Sequence, residues 1–153
     1  PHPEGGFFKE TYRSAENIES GHLPARYHGE RCFGTAIYYL ITPDSFSTMH
    51  RIQSDEIFHF HLGDPVAMFH LAPDGGVRTP ILGPDLAQGH RPQVTVPRLY
   101  WQGARLLAGG EFALLGTTVA PGFDFADFEM GSRSELVKAY PDHEEMITAL
   151  TRS

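Results

Sequence analysis

Period-two alternation of apolar and polar positions runs through most of the chain and predicts short β-strands. In Phe7–Arg13, Phe8, Glu10 and Tyr12 fall on one side, and Phe7, Lys9, Thr11 and Arg13 on the other. The most apolar strand candidate is 33–42. Runs 46–52 and 56–62 read as two strands joined at Gln53-Ser54-Asp55. Runs 66–72 and 76–82 flank Pro73-Asp74-Gly75, whose residues favour a tight turn. Further strands are predicted at 92–96, 100–106, 111–119 and 123–130, the last after the turn Ala120-Pro121-Gly122. Many short strands between glycines and prolines indicate an all-β sandwich or barrel. The tail changes period. Ser132 and Glu135 have capping-box spacing, Asp142 and Glu145 repeat it less perfectly, and Met146, Ile147 and Leu150 share a helical face. Two short helices over 132–152 are expected on the outside of a barrel spanning 7–130, within one domain of 1–153.

Composition adds limits. The chain has 153 residues, enough to bury about 68–70% of its unfolded surface without staples. Its one cysteine, Cys32, forms no internal disulfide and reads as a small buried apolar residue, so the cytoplasm is the default compartment. The net charge of −7 argues against a nucleic-acid partner. No apolar stretch approaches the length of a membrane span, and no leader pattern opens the chain.

Candidate chemistry concentrates in 46–65. Alternation places Glu56 with Phe58, Phe60 and Leu62 on the inner face, and Ile57, His59 and His61 on the outer one. His50 and Ile52 share a face of the preceding strand. If that face is also inner, His50 and Glu56 converge at the barrel mouth. Such a pair can transfer protons, the carboxylate orienting the ring; it can equally be a structural hydrogen bond. His59 and His61 have metal-ligand spacing but point outward, toward a covering strand or a partner copy. His70, His22, His28, His90 and His143 are expected in surface loops. On the first strand, Lys9 and Arg13 share a face that can bind an anion, and Tyr12 can act as an acid. In FDFADFE, Asp127 and Glu129 share a face with Phe123 and Phe125. They line a pocket or pair with Arg13, Arg51 or Arg98.

These residues resemble the first cupin motif, G-x5-H-x-H-x3-E-x6-G. His50, Glu56 and Gly63 keep its spacing, while Asp44 and Ile52 replace its first glycine and second histidine. In the second motif, P-x-G-x2-H, Pro97 is kept, Leu99 stands at the glycine and Gln102 at the histidine. The runs HPEGGFFKETYRS, TAIYYLI, PQVTVP and TVAPGFDFADFE extend the likeness to the Cupin_5 subfamily, a domain of unknown function. The resemblance implies a double-stranded β-helix, the cupin jelly-roll barrel, with a solvent-accessible pocket, assembled as a homodimer. It also implies a metal position at His50, Glu56 and Gln102. With Ile52 unable to ligate, that set is poor for a transition metal. No cofactor is assigned, and a divalent metal stays an alternative. The reading that results is a small-molecule-binding cupin, a metal-independent epimerase or isomerase of a sugar or sugar nucleotide. His50 would be base, Glu56 its orienter and Gln102 a hydrogen-bond donor. Lys9, Tyr12, Arg13 and Asp127 are the candidate substrate contacts. The alternatives are a non-catalytic binding module and a metal-dependent oxygenase.

Overall fold

The computed structural model describes residues 1–152. Its strands form two facing antiparallel sheets. The first takes the order β1 (Phe7–Arg13), β4 (Thr35–Ile41), β12 (Ala113–Val119), β6 (Glu56–Gly63), β10 (Gln93–Val96). The second runs β13 (Glu129–Met130), β5 (Ser47–Arg51), β11 (Trp101–Leu106), β7 (Val66–Leu71), β8 (Val77–Arg78), with β9 (Ile81–Leu82) also on β7. A small ribbon joins β2 (Asn17–Ile18) to β3 (Arg31–Cys32). From β4 to β7 the chain alternates between the two sheets, the jelly-roll pattern expected from the sequence. The turn at Gln53-Ser54-Asp55 is therefore a corner between sheets rather than a hairpin.

Both faces of the second sheet are covered. Inside, Tyr39, Phe58, Met68, Leu82 and Leu115 form the barrel core. Outside, Met49, Phe69, Leu71 and Trp101 pack under Leu136, Ile147 and Leu150 of the tail. The tail holds α1 (Arg133–Ala139) and α2 (Glu144–Ala149). Neither predicted capping box forms: Ser132 makes no side-chain cap, and α2 starts after a 3-10 turn at Pro141–His143. Burial of the apolar face, about 1.5–3 kcal/mol per large side chain, holds these short helices.

Several local expectations are corrected. The run 76–82 splits into β8 and β9 at Thr79-Pro80, because proline lacks the ladder donor. The run 123–130 is not one strand. Asp124 accepts a hydrogen bond from the Ala126 N–H at 2.8 Å and turns Phe125–Asp127 into a 3-10 helix, leaving only β13 extended. In β6 the pairing with β12 slips between Phe60 and Leu62, so His61 is an extra residue. Leu62 is therefore turned outward and 59% exposed, not inward. A matching slip lies in β1. Glu10 pairs with Ile37 and Tyr12 with Ala36, which leaves Thr11 as a bulge.

Candidate active site

The bulge at Thr11 decides which β1 side chains reach the interior. Before it, Phe8 and Glu10 face inward; after it, Arg13 does. They wall a cavity of about 330 Å³ between the sheets, bordered by Tyr39 of the apolar core. His50, Ile52 and Glu56 form its floor, and Phe123, Phe125 and Phe128 its rim.

The expected contacts separate accordingly. His50 and Glu56 both line the cavity, and Gln102 stands behind Glu56. Lys9 and Tyr12 do not line it; Tyr12 is 57% exposed on the outer face. Arg13 reaches the wall, yet its guanidinium is held bidentately by Glu10, with Nη2 2.8 Å from Oε2. An anion there would have to displace Glu10. Asp127 is buried behind the rim, where its carboxylate takes 2.8 and 2.6 Å bonds from Arg31. Arg31, rather than Arg13, Arg51 or Arg98, is its partner; Glu129 pairs with Arg51. His59 points outward to Thr118, as parity requires.

Two site residues lie in the N-terminal segment, before any strand. Glu4 Oε2 is 3.1 Å from His50 Nε2, and its Oε1 accepts from the Ser47 hydroxyl at 2.9 Å. His2 Nδ1 is 3.5 Å from the same carboxylate. The segment is fastened by backbone. Thr48 N–H donates to the Glu4 carbonyl at 2.8 Å, and the Tyr39 hydroxyl donates to the Gly5 carbonyl at 2.6 Å. Gly5 and Gly6 have φ of +111° and +69°, and a Cβ at Gly5 would meet the Phe46 carbonyl oxygen at 2.1 Å. Only glycine permits this approach. The one sequence signal for Glu4 is its place beside that Gly-Gly pair.

The direct carboxylate partner of His50 is thus Glu4, not Glu56. His50 Nδ1 lies 2.8 Å from the Thr48 carbonyl, which can only accept, so Nδ1 carries a proton. Nε2 then shares a single proton with Glu4. Burial lowers the His50 pKa, opposed by Glu56 and the Thr48 bond, and burial raises that of Glu4. Both shifts favour the uncharged form, in which the Glu4 carboxyl donates to Nε2. Phe128 stacks on the imidazole with ring centres 5.3 Å apart. Glu56 Oε2 accepts from Gln102 Nε2 at 2.7 Å. Burial raises its pKa, with His50, Gln102 and Thr117 opposing.

The metal implied by the cupin motif does not fit this donor set. Ile52 has no lone pair, both His50 nitrogens are engaged, and the Gln102 amide is turned to Glu56. Among the described residues no group of three or more His, Cys, Asp and Glu side chains is arranged around an ion position. The motif glycines carry a backbone meaning. Gly63 has φ of +95°, and a Cβ there would strike the Phe112 carbonyl oxygen at 2.3 Å. Leu99, at the other glycine position, keeps the left-handed conformation with φ of +65° despite its side chain.

A family model described as "Cupin superfamily (DUF985)", Cupin_5, matches residues 1–131. The chain belongs to the Cupin_5 family of cupins. Its relatives include an uncharacterised protein of Saccharomyces cerevisiae, 34% identical over 134 residues, covering 82% of this chain and 67% of that protein. A solved structure from Shewanella oneidensis is 35% identical with a TM-score of 0.88, covering 99% of this cupin and 89% of that chain. A hypothetical protein from Leishmania major is 32% identical with a TM-score of 0.90, covering 100% and 93%. The family match spans both the N-terminal segment with Glu4 and the whole cavity rim.

Proposed function

We propose that this cupin binds a small, uncharged polar molecule such as a sugar and moves a proton on it without a metal. The observation that carries this reading is the Glu4–His50 pair at the cavity floor. The Glu4 carboxyl lines the cavity and shares a proton with the buried imidazole, so Glu4 can take a proton from a ligand and return it elsewhere while His50 Nε2 holds the shared one. Glu56, on the same floor, is the second proton-transfer group, and Gln102 holds its carboxyl in place. The aromatic rim suits the C–H faces of a ring, and the buried carboxyls suit its hydroxyls. A phosphorylated or nucleotide-linked sugar is disfavoured. Glu4, Glu10, Glu56 and Asp124 line the cavity, and its one guanidinium is held by Glu10.

The test begins with mass spectrometry of molecules released from freshly purified protein. The identified ligand, incubated with protein in D2O, should gain deuterium at one carbon. His50→Ala should bind it and not exchange it. Exchange at the wild-type rate in His50→Ala would refute the proton-transfer role. Binding with no exchange in the wild type would favour the plain binding module.

The homodimer implied by the family has one supporting observation. Phe7, Leu40, Leu114 and Leu62 form an apolar row in register across the outer face of the first sheet. Tyr38, nearly half exposed, stands beside it. We infer that a second copy covers this face, as burial of such a row favours. Sedimentation analysis of Leu62→Glu should show monomers where the parent shows dimers; a monomeric parent would refute the assembly.

A further inference from the structure

A second cavity, of about 480 Å³, shares no lining residue with the first. It opens between the β7–β8 edge of one sheet and β10 at the edge of the other. Its walls carry Arg78, Arg91, Thr79 and His70. No aspartate or glutamate lines it. This is unusual in a chain of net charge −7. Among the described residues neither arginine has a carboxylate within ion-pair distance.

His70 supplies an independent observation. The sequence suggested a surface loop, but its side chain lies inside the barrel and is 1% exposed. Its backbone is in register with Gln102 on one side and Arg78 on the other. Cross-strand neighbours point to the same face of a sheet, so His70 stands between the floor of the first cavity and the arginines of the second. Its Nε2 has no hydrogen-bond partner among the described residues. A buried polar atom left unpaired costs about 1–3 kcal/mol, and a bound group that pairs with it removes that cost.

We propose that this second cavity is an oxyanion site, which takes a phosphate group between Arg78 and Arg91 with His70 beneath it. The donors are two guanidiniums, one hydroxyl and an imidazole, carried on β7, β8 and the connections beside them. That spread of directions suits the tetrahedral acceptor set of a phosphate better than the two coplanar oxygens of a carboxylate. The site is separate from the proton-transfer cavity, and its test does not depend on the function of that cavity.

Inorganic phosphate is titrated into the 15N-labelled full chain in a phosphate-free buffer. The His70 ring and the arginine Nε–H resonances are followed. A saturable shift of His70 is expected, with the dissociation constant raised at least tenfold in Arg78→Gln and in Arg91→Gln. The double variant should show no saturation, while Arg105→Gln, on an exposed arginine outside the cavity, should behave as the parent. These arginines are exposed, so the variants should fold; an unchanged amide spectrum checks this. Glycerol phosphate, run in parallel, separates two sources of the group. Binding tenfold tighter than inorganic phosphate marks a handle on a larger metabolite, and equal or weaker binding marks the free ion. Shifts that rise linearly without saturation, saturation that persists in the double variant, or acetate binding as tightly as phosphate would overturn the proposal.

Discussion

Glu4 and His50 share one proton across 3.1 Å, although one lies in an irregular N-terminal segment and the other in the middle of a sheet. The second His50 nitrogen is fixed on the Thr48 carbonyl, so the ring cannot rotate to release Glu4 without losing two bonds. The pair is therefore held in a single orientation toward the cavity.

Glu4→Gln keeps a donor for Nε2 and removes the exchangeable proton. Thermal stability should change by less than about 1 kcal/mol, while ligand deuteration should slow by about 100-fold or more. Glu4→Ala leaves the buried Nε2 unpaired and should cost about 1–3 kcal/mol in a denaturant titration. Equal deuteration rates in Glu4→Gln and the parent would show that Glu4 only positions the ring.

Arg31 and Asp127 are both buried, and each is the other's only charged partner within bonding distance among the described residues. Removing either charge strands its partner. Arg31→Met or Asp127→Leu alone should cost about 3–5 kcal/mol in urea unfolding, and the double variant should recover most of it. A double variant as unstable as the singles would show that the carboxylate has a further role at the rim.

Gly5 and Gly75 both have positive φ but differ in their surroundings. A Cβ at Gly75 meets nothing within 4 Å, whereas at Gly5 it would collide with the Phe46 carbonyl. Gly75→Ala should therefore cost only the left-handed penalty, about 1–2 kcal/mol. Gly5→Ala should additionally displace Glu4, seen as faster amide exchange at Thr48, whose N–H is bonded to the Glu4 carbonyl. Unchanged exchange there would mean that the segment is held by other contacts.

His70 gives stability a pH dependence of defined sign. Burial and the neighbouring Arg78 lower its pKa from 6.5 to about 4. Below pH 6.5 the unfolded chain binds a proton that the folded chain refuses, so stability falls as pH drops toward 4. The loss attributable to His70 is about 3 kcal/mol over that window. Burial raises the pKa of Glu4 and Glu56, and this acts oppositely, lowering stability as pH climbs above 4.5. The difference between the parent and His70→Gln isolates the histidine. In phosphate-free buffer His70→Gln should lose less stability than the parent between pH 7 and pH 4, and parallel curves would contradict the buried neutral state.

Much of the barrel is legible in the sequence because alternation reports burial on one face of a strand. The spacing from His50 to Glu56, and Gln102 beyond Pro97, is legible for another reason: each falls on a position of the cupin motifs that the chain resembles. The losses occur where parity breaks. Single extra residues at Thr11 and His61 invert the faces that follow, so Arg13 moves inward and Leu62 outward. In FDFADFE, the Asp124 turn replaces a strand. Glu4 and His2 escape periodic reading altogether, because a segment docked through glycine backbone has no alternation to reveal it. His70 was hidden by its polarity: a lone histidine amid apolar residues gives no sign that it stands against arginines from other strands.

The bulge in β1 also gives the cavity a way to change. The strand has two frames, one before Thr11 and one after, and only the second selects between Tyr12 and Arg13. Were Thr11 to join the ladder opposite Ala36, Tyr12 would move opposite Thr35 and bring its phenol to the wall in place of the guanidinium, while Phe8 and Glu10 kept their places. A one-residue slip of pairing thus separates a cavity walled by a cation from one walled by a hydroxyl, and ligand preference can drift in this barrel without disturbing its core.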